Sequence, residues 1–295
     1  MDKVILEAYA KINLGLDVLG RRQNGYHDVK MIMQTVDLHD TLVMERTPED
    51  GIAMTMEGGS QLVPLDEHNL IYKAILGVKE YVTEARVPGG LKIHLVKRIP
   101  VAAGLAGGST DAAAAIKGMN ALYELGLTLA QMQEIGVKIG ADVPYCILGG
   151  TALSEGIGEI LTTIDPPPTA RLLLVKPRAS VSTKEVYEAL DALTNPSHPQ
   201  IDALQLAMKQ QDVMRMAELL GNILEQVTIP MHPEIDEIKE EMVSSGAIAA
   251  LMSGSGPTIF GLFADDESRQ RAAQRIEKRG DVEGVFFSAF KEIDG

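Results

Sequence analysis

The segment Pro100-Val101-Ala102-Ala103-Gly104-Leu105-Ala106-Gly107-Gly108-Ser109-Thr110-Asp111-Ala112 sets three glycines just before an expected helix, with hydroxyl and carboxylate groups on offer as caps. Glycines let backbone N–H groups turn together toward an anion. A helix N-terminus adds unpaired donors and partial positive charge. The chemistry this pattern suits is phosphate binding; its alternative is a glycine loop packed tightly against a sheet. No Gly-Lys-Ser/Thr follows, so it is not a Walker A loop, and its spacing is not G-x-G-x-x-G. A second glycine loop, Leu251-Met252-Ser253-Gly254-Ser255-Gly256-Pro257-Thr258, lies between two apolar runs and is longer than a plain hairpin turn. It reads either as a flexible connection or as a loop that closes over ligand phosphates.

Four further groups could do chemistry. Gly140-Ala141-Asp142-Val143-Pro144-Tyr145-Cys146 holds a carboxylate among apolar residues; Asp142 with Pro144 behind it also fits a helix N-cap. Ala8-Tyr9-Ala10-Lys11-Ile12-Asn13-Leu14 places a lysine and an asparagine in a strand-like stretch, where a lone lysine is expected on a solvated edge. Gly25-Tyr26-His27-Asp28 puts a ring, an imidazole and a carboxylate beside a turn, a set that can recognise a base and that surface turns also show. Cys146 reads as a small core residue.

The elements that must position these groups are legible in outline. Short apolar runs at 4–8, 14–18 and 31–36 read as strands, with Asn24-Gly25 as a turn. Asn69 is a helix N-cap followed by Ile71, Ala74, Ile75, Val78 and Val82 at helical spacing. Residues 91–95 alternate as a half-buried strand, and a further helix covers about 128–140. Pro166-Pro167-Pro168 marks a linker, dividing the chain into 1–165 and 166–295. The second part reads strand 171–175, helices 183–193, 201–209 and 212–226, helix 232–244, strands 247–252 and 258–264, helix 266–279, strand 284–290. Stripped of its inserted helices, that order is β-α-β-β-α-β, the ferredoxin-like pattern. The class is α+β.

Composition bounds the function. Of 295 residues, 45% are hydrophobic and 23% charged, which excludes a disordered or fibrous chain. The net charge of −14 has the wrong sign for a nucleic-acid or anionic-membrane binder, so a phosphorylated ligand must be held by a local device. One cysteine permits no internal disulfide framework and points to a reducing compartment. The start Met1-Asp2-Lys3-Val4 does not read as a signal peptide. The uncharged stretch 243–264 contains Gly246, Gly254, Gly256 and Pro257 among its residues and makes a poor membrane span. A cytoplasmic location is the expectation.

Ala10–Leu14, Pro100–Ala112 and Leu251–Thr258 resemble the three motifs of the GHMP kinases, the superfamily of galactokinase, homoserine kinase, mevalonate kinase and phosphomevalonate kinase. The stretch Arg21–Asp28, running on to Gln34–Asp40, and Gly140–Pro144 are similar to the members whose substrate is a cytidine-linked methylerythritol. The resemblance runs from residue 4 to about 290, with the motifs in the family's order. Ala106 stands where many members have the first of three consecutive glycines, a change that a negative φ would accommodate.

The resemblance implies an N-terminal ribosomal-S5-like, ATP-binding domain and a C-terminal ferredoxin-like domain. It implies phosphorylation of the substrate's 2-hydroxyl with ATP as donor and Mg2+ as the divalent cation, a step of the non-mevalonate route to isoprenoid precursors. By position, Asp142 is the catalytic base and Lys11 pairs with it and with the hydroxyl, while Asn13 helps hold the substrate. Residues Pro100, Val101, Ala102, Ala103, Gly104, Leu105, Ala106, Gly107, Gly108, Ser109 and Thr110 wrap the ATP phosphates, with Ser109 the hydroxyl nearest the metal. Asn69 and Lys97 fall near the adenine end. Tyr26 and Tyr187 sandwich the cytosine, His27 reads its edge, and Thr183 contacts the methylerythritol side. Ser253, Gly254, Ser255 and Gly256 form the closing loop. The expected partners are the small-molecule substrate and ATP, with no nucleic acid and no membrane, in a monomer or homodimer. Two rivals remain: another GHMP kinase of the homoserine or mevalonate type (or the related decarboxylase), which needs no base-stacking group, and a non-catalytic nucleotide-binding module, which needs neither Lys11 nor Asp142.

Overall fold

The computed structural model describes residues 2–60 and 63–293. Two compact units share the chain. The first comprises Met1–Ala10, His39–Val101 and Ala106–Gly149; the second comprises Lys11–Leu38, Ala102–Leu105 and Gly150–Gly295. Strands β1 (Lys3–Arg21) and β2 (His27–Thr47) contribute to both. These are longer than the short runs legible in sequence. The polar residues Lys11 and Asn13 do not interrupt β1, because both are buried and hydrogen-bond to each other.

In the first unit, residues 41–47 of β2 pair antiparallel with β4 (Gly90–Lys97), which pairs in parallel with β3 (Ile52–Gly58). Four helices accompany these strands: α1 (Leu70–Val82), α2 (Gly107–Leu122), α3 (Leu129–Val137) and α4 (Val143–Leu148). Helix α1 buries Ile71, Ala74, Ile75, Val78 and Val82, the apolar positions its spacing predicts, and Asn69 caps it. Helix α2 buries its alanine run, Ala112–Ala115. A side chain at Gly118 would stand 2.3 Å from Met44 Sδ, so small residues let α2 lie close to β2.

The second unit carries a four-stranded antiparallel sheet in the order β11-β7-β10-β9: Val282–Ala289, Arg171–Pro177, Ile259–Phe263 and Ala249–Met252. Counted along this module, that is fourth-first-third-second, as the β-α-β-β-α-β reading requires. Its two helices are α9 (Glu234–Ser244) and α10 (Asp266–Ile276). Every residue of β10 is buried. Helices α5 (Thr183–Asp191), α6 (Ile201–Lys209), α7 (Val213–Leu219) and α8 (Glu225–Met231) are inserted before α9. The expected helix over 212–226 is broken: Leu220 turns extended, and the two-residue β8 (Gly221–Asn222) pairs in parallel with Gly15 and Leu16 of β1. Strands β5 (Thr151–Glu155) and β6 (Ile160–Thr163) complete this unit, β5 pairing with residues 31–34 of β2. No helix among the described residues is long and apolar enough to cross a membrane.

Candidate active site

The glycine segment is divided between the units: 102–105 belong to the second and 106 onward to the first. In the first unit, α2 starts at Gly107. Its N-cap residue, Ala106, is left-handed (φ 57°, ψ 27°) and makes no side-chain cap. The negative φ expected for this alanine is therefore not found. The expected caps Ser109, Thr110 and Asp111 lie inside the helix; Thr110 Oγ1 donates to Tyr9 O at 2.6 Å. Helix geometry leaves the amides of Gly107, Gly108 and Ser109 without intrahelical acceptors. Gly108 is exposed, and a Cβ built there would meet only Leu70 Cδ1, at 3.4 Å. The cradle is thus bare backbone at a helix N-terminus, suited to an anion.

Asp142 directly precedes α4, and its side chain makes no capping hydrogen bond. Its local backbone satisfies the turn instead: Val143 N donates to Gly140 O at 3.1 Å and Cys146 N to Asp142 O at 3.0 Å. Ser109 Oγ lies 3.9 Å from where a Gly140 Cβ would stand, which brings the α2 hydroxyl to the 140–142 turn. Asn69 is a structural cap: Oδ1 accepts from Ile71 N at 2.8 Å and Nδ2 donates to Pro64 O at 2.6 Å.

Beneath the first turn of α2 lies a buried ionic cluster. Lys97 Nζ donates to Asp111 Oδ2 at 2.6 Å and to Asp40 Oδ2. Asp40 Oδ1 accepts from the amides of Arg98 (2.5 Å) and Ile99 (2.8 Å). The ammonium also sits 3.1 Å from where a Gly107 Cβ would be. The cluster ties the middle of β2, at Asp40, and the end of β4, at Lys97, to the first turns of α2. Burial opposes the charge on Lys97, but its two carboxylates outweigh burial and raise its pKa. Asp111 is pushed well up by burial and by the Asp40 charge, against the pull of Lys97, and its Oδ1 is buried without a hydrogen bond.

The second unit gathers the other groups. Lys11 is buried, not on a solvated edge; its Nζ donates to Asn13 Oδ1 at 2.8 Å and its amide to Leu105 O at 3.2 Å. Gly104 (φ 73°) abuts the second glycine loop, where a Cβ would stand 2.4 Å from Ser253 O. Ser253 Oγ donates to Gly104 O at 3.1 Å. Asn222 of β8 holds the second loop by donating to Met252 O (2.9 Å) and Gly254 O (2.7 Å). The two glycine loops and the Lys11–Asn13 pair therefore meet.

A further cluster stands at the β1–β2 turn. The His27 and Tyr187 rings lie 4.8 Å apart at 48°. His27 Nε2 bonds Asp191 Oδ1 at 2.8 Å, and Arg21 Nη1 donates to Asp191 Oδ2 at 3.3 Å. Thr183 Oγ1 and Ser255 Oγ share a hydrogen bond of 2.9 Å, joining α5 to the second glycine loop. Tyr26 is 58% exposed. Lys11 belongs to the second unit and Asp142 to the first.

Sequence reasoning missed Asp40, Asp111, Asn222 and Asp191 as supporting groups. Only Asp191 had a usable signal: it follows Thr183 and Tyr187 at spacings of four, one face of α5.

Comparison with known proteins places this geometry. The family GHMP kinases N terminal domain matches residues 69–150, and GHMP kinases C terminal matches 202–282. The chain is 50% identical over 286 residues to a 4-diphosphocytidyl-2-C-methyl-D-erythritol kinase of Lachnospira eligens, covering 97% of this chain and 98% of the relative. It is 47% identical to the enzyme of that name from Geobacillus kaustophilus, covering 96% of each chain. A crystal structure of 4-(cytidine 5'-diphospho)-2C-methyl-D-erythritol kinase superposes with a TM-score of 0.81 at 31% identity, over 98% of this chain and all of the other. Homoserine kinase from Cytophaga hutchinsonii, 20% identical with a TM-score of 0.79 over 99% and 95% of the two chains, shares the fold. With half of its residues identical over nearly the full length of a relative, the chain belongs to the 4-diphosphocytidyl-2-C-methyl-D-erythritol kinases within the GHMP kinases.

Proposed function

We propose that the protein transfers the γ-phosphoryl group of ATP to the 2-hydroxyl of 4-diphosphocytidyl-2-C-methyl-D-erythritol, giving the 2-phosphate and ADP, in the supply of isoprenoid precursors. The observation that carries this reading is the identity of 50% over the length of a relative so named. In this reading the bare amides of Gly107, Gly108 and Ser109 take ATP phosphate, which lets a chain of net charge −14 bind a polyanion locally. Asp142, whose carboxylate does no capping, accepts the 2-hydroxyl proton as the O–P bond forms and the bond to ADP breaks. Asn13 orients the Lys11 ammonium, which favours the ionised base and the developing alkoxide.

Mg2+ is part of the proposal. The Ser109 hydroxyl beside the 140–142 turn would offer the hard oxygen ligand that such an ion takes. The ion would supply neutralisation of phosphate charge. Asn69 and Lys97 act on the adenine side through the elements they fix, since the side chains of both are engaged within the protein. Tyr26 and Tyr187 stack the cytosine and His27 reads its edge, while Thr183, bonded to Ser255, links the substrate side to the closing loop 253–256. The family matches at 69–150 and 202–282 fall on either side of residues 165 and 166, which supports reading that point as the join of two modules.

The test is ADP release by the purified chain with ATP, Mg2+ and the cytidine-linked substrate, with phosphorus NMR of the product. The expected product carries a new monoester on the 2-oxygen. ADP release with homoserine or mevalonate but not with this substrate would overturn the reading.

A further inference from the structure

Asp191 is the last residue of α5. A carboxylate there opposes the helix dipole, which favours cations at a C-terminus. Its place is explained by what it holds. Thr183, Tyr187 and Asp191 recur at intervals of four, so they share one face of α5. That face meets Ser255 through Thr183, the His27 ring through Tyr187, and His27 Nε2 through Asp191. A carboxylate accepts and does not donate when ionised, so its neutral imidazole partner must carry the proton on Nε2. His27 Nδ1 is then left as a lone-pair acceptor, and it makes no hydrogen bond among the described residues.

From this geometry we infer that Asp191 is the specificity-positioning residue for the base: it fixes the Nε2–H tautomer of His27, so that Nδ1 presents an acceptor to the exocyclic amino group of cytosine. The inference rests on the proposed cytidine-linked substrate. Cytosine offers an amino donor at position 4, where uracil offers a carbonyl acceptor. An Nδ1 lone pair satisfies the first and faces the second with an unpaired acceptor. Arg21 holds the other carboxylate oxygen, which keeps Asp191 turned toward the imidazole.

Arg21 also gives the test its direction. In Asp191→Asn, the amide oxygen remains with the Arg21 donor and the amide nitrogen faces His27 Nε2. Nε2 then becomes the acceptor, the proton moves to Nδ1, and the base edge meets a donor suited to uracil. The measurements are kcat/KM for the cytidine-linked substrate and its uridine analogue, in wild type, Asp191→Asn and Asp191→Glu, together with nitrogen-15 NMR of His27 at mildly alkaline pH. Asp191→Asn should lower the cytidine-to-uridine ratio by about tenfold or more. It should leave the KM for ATP unchanged and shift the His27 proton from Nε2 to Nδ1, while Asp191→Glu restores most of the ratio. A ratio within about twofold of wild type in folded Asp191→Asn, or a wild-type His27 protonated on Nδ1 alone, overturns the inference and leaves the substrate assignment standing. Wild type that uses both analogues equally overturns the base reading itself, and the inference with it.

Discussion

Asp40 gives the sharpest stability prediction. It is fully buried, and it serves two masters: Oδ1 accepts the amides of Arg98 and Ile99, and Oδ2 pairs with Lys97. Asp40→Ala strips both. The Ile99 amide is buried and loses its acceptor, at about 1–3 kcal/mol; the charged contact to Lys97 adds about 1.5–3 kcal/mol. Lys97 keeps Asp111, so the ammonium is not left alone. The expected loss is roughly 2.5–6 kcal/mol, a large share of a typical stability of about 5–15 kcal/mol. Asp40→Asn keeps an acceptor for both amides but sets its amide nitrogen, a donor, where Oδ2 accepted from Lys97, so it loses the charged contact and should cost about 1.5–3 kcal/mol. Guanidinium unfolding of the three chains, followed by far-ultraviolet circular dichroism, measures the difference. If Asp40→Ala loses less than about 1 kcal/mol, or matches Asp40→Asn within about 0.5 kcal/mol, the cluster does not hold β2 and β4 to α2 as argued.

Asp142→Asn should fold normally, because the side chain makes no cap bond, bind ATP as wild type does, and lose about 10²–10⁴ in kcat; turnover within a few-fold of wild type makes Asp142 structural. Gly108→Val meets only Leu70, so unfolding should barely change while the KM for ATP rises far more than that for the other substrate, and equal rises would contradict the phosphate cradle. The Asp111 carboxyl is raised by burial and by Asp40, so its contribution to stability is present below the ordinary carboxylate range and is lost as pH rises through its elevated value. Asp111→Asn should remove that fall, and a stability difference from wild type that stays constant with pH would refute it. Tyr26→Ala, at an exposed ring, should raise the KM for the cytidine-linked substrate by roughly 5- to 150-fold and spare ATP; unchanged affinity for both would remove Tyr26 from the base site.

What could be read from sequence was governed by local signals. Helix α1 has a capping asparagine and an apolar stripe, both determined within a few residues, and both are found. The ferredoxin-like order survives because strand and helix periodicities differ and its hairpins and helices are local. What failed depended on partners distant in sequence. Lys11 looks solvated from its neighbours alone, yet it is buried, and its amide donates to Leu105 O, some ninety residues away. The break after Leu219 is set by pairing of Gly221 with Gly15, some two hundred residues away. Ala106 adopts a left-handed conformation that its own type disfavours, at a cost of about 1–2 kcal/mol relative to a right-handed residue. A glycine at that position would meet the same geometry without the penalty. Among the candidate site residues, the proposed phosphate cradle was visible as glycines before a helix, and the helix starts at Gly107. Its support by Asp40, Lys97 and Asp111 was not, because three charged residues in different elements give no common pattern.

On the proposed reading, this kinase recognises its substrate through the base as well as phosphorylating its 2-hydroxyl. The most direct measurement is kcat/KM for the cytidine-linked substrate against methylerythritol phosphate, which lacks the base, under the same ATP and Mg2+ concentrations. A stacked and edge-read cytosine should favour the cytidine-linked compound by at least the roughly 5- to 150-fold that one stacking contact provides. Equal efficiency with the two compounds would contradict the account.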